Sequence, residues 1–173
     1  TSDIDKLFTS LQAAADSLTG ASNGFIFMYD SVDGALTIPE NTNITIYMGY
    51  TLTAADTAVT VNGSLTFDIR DGVINGNVAV NAGGAVTVHD SANIVFNGSL
   101  TVADGASAAI ENGVFNGGII NNGDIELSGG TYKNEPESAW LADGYGVLAN
   151  EDGTYRVAQL IAQMNYTQDG QPV

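Results

Sequence analysis

Apolar and polar positions alternate in short bursts from about Thr60 to Asn134, and the bursts return in a fixed order. One phrase is an apolar pair followed by asparagine: Val73, Ile74, Asn75; Val95, Phe96, Asn97; Val114, Phe115, Asn116; then Thr131, Tyr132, with Asn134 one place late. A second is a β-rich run that ends in a polar turn. It reads Val59, Thr60, Val61 into Asn62; Val78, Ala79, Val80 into Asn81; Leu100, Thr101, Val102 into Ala103; and Ile119, Ile120 into Asn121. The third follows that turn: Leu65, Thr66, Phe67; Val86, Thr87, Val88; Ala108, Ala109, Ile110; Ile125, Glu126, Leu127. Apolar residues at the first and third places around a Thr, Ala or Glu predict half-buried strands of period two. Helices are excluded there, because Gly and Asn recur every few residues with β-branched residues between them.

The asparagines of the first phrase are spaced about 18 to 22 residues apart, the length of one unit of a repeat protein. Three short strands per coil of about 20 residues describe an all-β chain wound as a parallel β-helix, a β-solenoid. Its coils stack about 4.8 Å apart and hydrogen-bond to one another. Two expectations follow from stacking in register. Phe67, Val88, Ile110 and Leu127 form one buried column, and Asn75, Asn97, Asn116 and Asn134 form a corner ladder of side-chain amides. The alternative for the asparagines is that corners simply need left-handed backbone.

The flanks lose the rhythm. Ile4, Leu7, Phe8, Leu11, Ala14, Ala15 and Leu18 lie at helical spacing, with Asp3 and Asp5 near the start and Gly20 after the end. Residues 1–20 therefore read as an N-terminal capping helix over the open end of a solenoid at 21–134. The irregular first coils contain the apolar run Phe25, Ile26, Phe27, Met28 and the strands Leu36 to Ile38 and Ile44 to Ile46. Residues 135–157 read as a C-terminal cap: a short helical turn around Trp140, then a hairpin of Tyr145 to Leu148 with Thr154 to Val157 about the Asn150 to Gly153 turn. Residues 158–173 read as a tail, a linker or an assembly segment, with Leu160, Ile161, Met164 and Tyr166 suited to pairing with the exposed edge of another copy. Phe25 and Phe27 join them as assembly candidates, since that run is more apolar than one covered strand requires. Repeated through the solenoid ends or the tail, such contacts give a homo-polymer.

Charge and composition narrow the partners. At 173 residues the length suits one domain with a sizeable core. Twenty acidic and four basic residues give a formal charge of −16, which disfavours nucleic acid and anionic membrane, both of which need clustered Lys and Arg. With no cysteine there is neither a disulfide framework nor thiol chemistry. No apolar run reaches the length of a membrane span, so no membrane insertion is expected, and no signal peptide opens the chain at Thr1.

Two phrases carry a resemblance. LTIPENTNITIYMGYTLT at 36–53 and SGGTYKNEPESAWLADGYGVLANEDGTYRV at 128–157 are similar to the opening coil and closing module of bacterial cell-surface and secreted proteins with right-handed parallel β-helix, pectin-lyase-like domains. The resemblance implies a right-handed β-helix, an extracellular location and a structural or adhesive role in a larger surface protein. This chain departs from that pattern in having few coils and a single Gly-Gly-Thr-aromatic phrase.

Candidate chemistry is sparse. β-Helix enzymes that cleave acidic polysaccharides use clustered carboxylates with Arg or Lys, whereas Lys6, Arg70, Lys133 and Arg156 are scattered and only Arg70 lies near carboxylates, Asp68 and Asp71. One place past the last inward residue of the third phrase stand Asp68, His89, Glu111 and Ser128, so stacking sets His89 between two carboxylates as a weak metal candidate. A solvent-exposed corner is the plainer reading. No zinc motif, EF-hand or glycine-rich calcium nonapeptide occurs, and no cofactor is implied. The expected function is a non-catalytic structural or adhesive module. The alternatives are a polysaccharide-degrading enzyme and a glycan-binding module, the latter requiring exposed aromatics for which Tyr47, Tyr50 and Tyr132 are the candidates.

Overall fold

The computed structural model describes residues 6–161, and these form a parallel β-solenoid of about five turns. Its first face is a six-stranded, all-parallel sheet of Gly24–Phe27, Asn43–Tyr47, Ser64–Phe67, Ala85–Val88, Ser107–Ile110 and Asp124–Leu127, in that spatial order. Register aligns Gly24, Ile44, Leu65, Val86, Ala108 and Ile125, so successive coils take 20, 21, 21, 22 and 17 residues. Because side chains alternate across a strand, this register stacks like on like. Phe67, Val88, Ile110 and Leu127 are paired in one column and are no more than 1% exposed.

The apolar-pair phrase makes the second face. Val73, Val95, Val114 and Thr131 align in parallel, and the inward partners Phe96, Phe115 and Tyr132 stack ring on ring at 4.6 and 5.0 Å, with Phe67 edge-on to Phe96 at 5.8 Å. The third face aligns Leu36, Val59, Val78, Leu100 and Ile119. All three faces bury their inward residues against one core. Each fully buried Val, Leu, Ile or Phe stabilises the fold by roughly 1.5–3 kcal/mol, and here every coil adds such residues to columns begun by the coil before. The irregular early stretch is one strand, Thr51–Val61, that turns the corner from second to third face through register shifts between Thr53 and Val59. The corner that follows the second face admits only glycine: a Cβ at Gly98 or Gly117 would collide with the carbonyl of Gly76 or Gly98 in the coil before.

Both ends are capped, but not as the periodicity alone implies. The amino-terminal helix is Leu11–Ser17, shorter than a run from Ser2 to Leu18. Ser10 is extended and its side chain accepts from the Ala13 N–H at 3.3 Å, which stops the helix there; a hydroxyl that can satisfy backbone favours a cap over a helix interior. Leu7 and Phe8 consequently precede the helix and are exposed, while Ile4 lies outside the described residues. Leu11, Ala14 and Ala15 are buried, and Gln12 closes the open edge of Leu36–Ile38. Its Oε1 accepts from the Thr37 N–H at 2.6 Å and its Nε2 donates to the Thr37 carbonyl at 3.0 Å, so one side-chain amide stands in for a missing strand. At the far end a 3-10 turn, Ser138–Trp140, leads to the hairpin Tyr145–Ala149 and Tyr155–Gln159, whose second strand pairs antiparallel with Thr131–Tyr132. Trp140, Leu141, Tyr145 and Val147 pack on the core and Val157 is buried in it. No helix among the described residues is long and apolar enough to cross a membrane.

Candidate functional site

The outward side of the first face is where the chain places its chemistry. One row there, read along the solenoid, is Phe25, Thr45, Thr66, Thr87, Ala109 and Glu126. The neighbouring row begins with the paired Phe27 and Tyr47 and continues with Asp68, His89 and Glu111, each of which follows the last paired residue of its strand and donates its backbone N–H to the preceding coil. The run Phe25 to Met28 thus splits by period two: Ile26 and Met28 are buried, whereas Phe25 and Phe27 are 49% and 52% exposed. Tyr47 lies between them in reach, stacked on Phe27 at 4.5 Å and on Phe25 at 6.3 Å with nearly parallel planes. Tyr29 and Tyr50, just beyond these strands, are exposed as well. On the next turn Ile69 adopts φ 57 and is exposed.

The His89 corner is a polar network. His89 Nδ1 lies 2.8 Å from Asp90 Oδ1, 2.9 Å from Ser91 Oγ and 3.6 Å from Asp68 Oδ1, and Nε2 lies 3.9 Å from Glu111 Oε2. Ser91 Oγ–H donates to Asp68 Oδ1 at 2.6 Å. A carboxylate only accepts, so that proton is committed to Asp68, and it is the Nδ1–H that donates to Ser91. This is the reverse of what nucleophile activation requires, in which the serine gives its proton toward the imidazole. Glu111 Oε2 also accepts from the Asp90 N–H at 3.1 Å, and Asn112 Nδ2 donates to the Asp90 carbonyl at 2.9 Å. Among the described residues, the ligand atoms of His89, Asp90 and Glu111 fall within 4.8 Å of one another. Sequence register alone set Asp68 in that group. The structure engages Asp68 with Ser91 and brings in Asp90, which strand periodicity does not address because it stands in the turn. Arg70 runs beside Gly49.

The asparagine ladder is an external corner line. Asn116 Nδ2 donates to Asn97 Oδ1 at 2.8 Å, Asn97 Nδ2 to Asn75 Oδ1 at 2.8 Å, and Asn75 Nδ2 to Thr53 Oγ1 at 3.3 Å. Asn134 stands outside it, a correction to the expected set: Tyr132 pairs with Phe115, so Lys133 occupies the ladder position and Asn134 reaches Gly118 instead. A second line escaped the sequence reading, Asn81 Nδ2 donating to Asn62 Oδ1 at 2.7 Å. Both residues end β-rich runs 19 apart, which is the signal that identifies them.

Of the aromatic candidates for a glycan surface, Tyr47 and Tyr50 are on the outside and Tyr132 is not. Tyr132 is 3% exposed, its hydroxyl donates to the Gly129 carbonyl at 2.8 Å, and burial pushes its phenol up. Leu160 is tied to the hairpin, its N–H donating to the Gly144 carbonyl at 2.8 Å and its side chain covering Gly146, while Ile161 is exposed. Met164 and Tyr166 lie outside the described residues. Compared with protein families, with curated proteins and with solved structures, the chain matches none.

Proposed function

We propose that this chain is a non-catalytic structural or adhesive module of an extracellular surface or filament, a right-handed β-solenoid of the kind found in bacterial pectin-lyase-like surface proteins. The likeness of residues 36–53 and 128–157 to the opening and closing pieces of such proteins supports the location. The observation that carries the reading is the set of exposed rings on the first two coils: Phe25 and Phe27, with Tyr47 stacked on both, and Tyr29 and Tyr50 just beyond their strands. Leaving such rings in water is unfavourable, at roughly 25 cal/mol for each Å² of apolar surface, and contiguous apolar patches mark contact surfaces. The sheet beneath them is rigid, since every coil is hydrogen-bonded to the next and filled with buried side chains. A stiff support with one sticky end suits adhesion better than catalysis. The polar corner supports the same reading, because its serine proton points to a carboxylate.

The enzymatic alternative is tested by incubating the protein with neutral and acidic polysaccharides and measuring new reducing ends and unsaturated products. No product above buffer is expected, for wild type and for His89→Ala alike. Chain cleavage that His89→Ala abolishes would overturn the proposal.

A further inference from the structure

We infer that the last strand of the third face, Ile119–Asn121, is a docking edge for an extended peptide of a partner protein, which adds one more strand there and sets a lysine or arginine side chain in the acidic groove beside it. The site belongs to the last coil, not to the first two that bear the exposed rings, and it does not depend on the adhesive reading. The first observation is a strand paired on one side only. Ile119–Asn121 ends its sheet and pairs with Leu100–Val102 alone. Its backbone directions follow from the bonds at its two ends: the Leu100 N–H donates to the Gly118 carbonyl at 3.0 Å, and the Asn122 N–H donates to the Val102 carbonyl at 2.8 Å. Successive residues of a strand turn their N–H and C=O groups to opposite sides, so Gly118, Ile120 and Asn122 face the preceding coil while Ile119 and Asn121 face away from it. The chain does not supply the next strand itself. Residues 133–137 form none, and Pro136, buried in that stretch, has no N–H to give. Among the described residues, no backbone hydrogen bond joins 133–137 to Ile119–Asn121. An edge with open N–H and C=O groups is a template for another strand.

The second observation is a groove of about 390 Å³ along that edge. Ile119, Ile120 and the half-buried Trp140 line it together with the exposed carboxylates Glu135 and Glu137. An indole face with carboxylates beside it suits a long basic side chain, whose apolar stem lies on Ile119 and Trp140 while its cation meets the two glutamates. Charge then selects the occupant. Asp124 and Glu126 are exposed on the neighbouring edge of the first face, and the whole chain carries −16. Lys133 is the one basic residue in the stretch from Asn121 to Tyr155. A second copy brings the same −16 and only four basic residues, and an acidic peptide is repelled, whereas a basic segment is drawn in by this field.

The test is titration of the whole chain with synthetic eight-residue peptides, blocked at both ends, of alternating threonine and valine. The parent has one central arginine, a second has glutamate in its place, and two more keep the arginine but are methylated on the threonine or on the valine backbone nitrogens. Trp140 is the only tryptophan, so its fluorescence reports on this groove directly. Saturable change of that emission is expected with the arginine peptide and not with the glutamate peptide, and it is expected to weaken as salt is raised. Binding is expected to slow hydrogen exchange of the Ile119 and Asn121 amides, which face outward, and to leave that of Ile120 unchanged. One methylated peptide, the one whose methyls meet the edge, is expected to lose binding. Glu135→Gln with Glu137→Gln is expected to weaken the parent about tenfold with an unchanged circular dichroism spectrum. No saturable binding of the arginine peptide, equal binding of the glutamate peptide, parent-like binding of both methylated peptides, indifference to the double glutamine variant, or bound peptide that leaves Ile119 and Asn121 exchanging freely would each overturn the assignment. Protection of those two amides with no peptide present would overturn it as well, since residues 162–173 or a second copy would then already fill the edge.

Discussion

Ile110 and Asn97 show what single residues contribute at the two extremes of burial. Ile110 sits in the middle of the column from Phe67 to Leu127 and is 0% exposed, so Ile110→Ala is expected to cost about 2–4 kcal/mol in chemical denaturation. A change within about 0.5 kcal/mol would contradict the register. Asn97 both donates to Asn75 and accepts from Asn116, yet it is exposed, so Asn97→Ala is expected to cost only about 0.5–1.5 kcal/mol. Asn116, which ends the ladder, is expected to cost less, and equal losses would argue against a directional line of amides. Ile69 points the other way. A β-branched residue at φ 57 is strained, by roughly 1–2 kcal/mol relative to ordinary backbone, so Ile69→Asn is expected to raise the denaturation midpoint. The buried column was legible because period two assigns each residue to a face. Asp90 and Ile69 were not, because turn residues obey no period and their directions follow from local backbone.

At the scale of elements, strands were easier to locate than ends. Each strand is copied by its neighbours, so an error in one coil is corrected by the next, and the three phrases map onto three faces with the expected register. The capping helix has no copy. Its apolar spacing extended back to Ile4, but the Ser10 cap ended it at Leu11, and a hydroxyl cap competing with continued helix is a contest that apolar periodicity does not see. Gln12 was equally invisible, since its role depends on the edge it meets. Gln12→Ala is expected to leave the Thr37 N–H unprotected, with its hydrogen exchange accelerated far more than that of Thr66, deep in the first face. Equal exchange at the two sites in the variant would show that the helix alone closes this end. In the hairpin, the side-chain hydrogen bond from Thr154, with a further one from its backbone, lowers the Asp152 carboxyl below its ordinary value. A depressed carboxyl stabilises the turn above its unfolded value and loses that contribution as pH falls through the folded one, so acid should loosen the hairpin before the coils. Thr154→Val is expected to move the Asp152 titration upward by NMR.

For the whole molecule, the two ends and the outer face compete as routes to contact. At the carboxyl end Ile119–Asn121, with Ile120 54% exposed, and the outer hairpin strand Tyr145–Ala149 are edges, and at the amino end Gly24–Phe27 is the outermost strand of the first face, so head-to-tail polymers through the solenoid ends are one form a structural role can take. Against this stands the charge of −16, which makes copies repel at low salt. Light scattering is therefore expected to show a larger mass only as salt is raised, and to lose it when residues 159–173 are removed; polymer that survives the truncation would clear the tail of that role. The outer face is the stronger claim, because its rings are exposed and sit on the most regular sheet. Its most direct test is the retention, under flow, of beads coated with the protein on polysaccharide-coated and protein-coated surfaces, comparing wild type with a Phe25→Ser, Phe27→Ser, Tyr47→Ser variant of unchanged fold. Firm retention of wild type and its loss in the variant are expected. Equal retention of the two, or none by wild type on either surface, would contradict it.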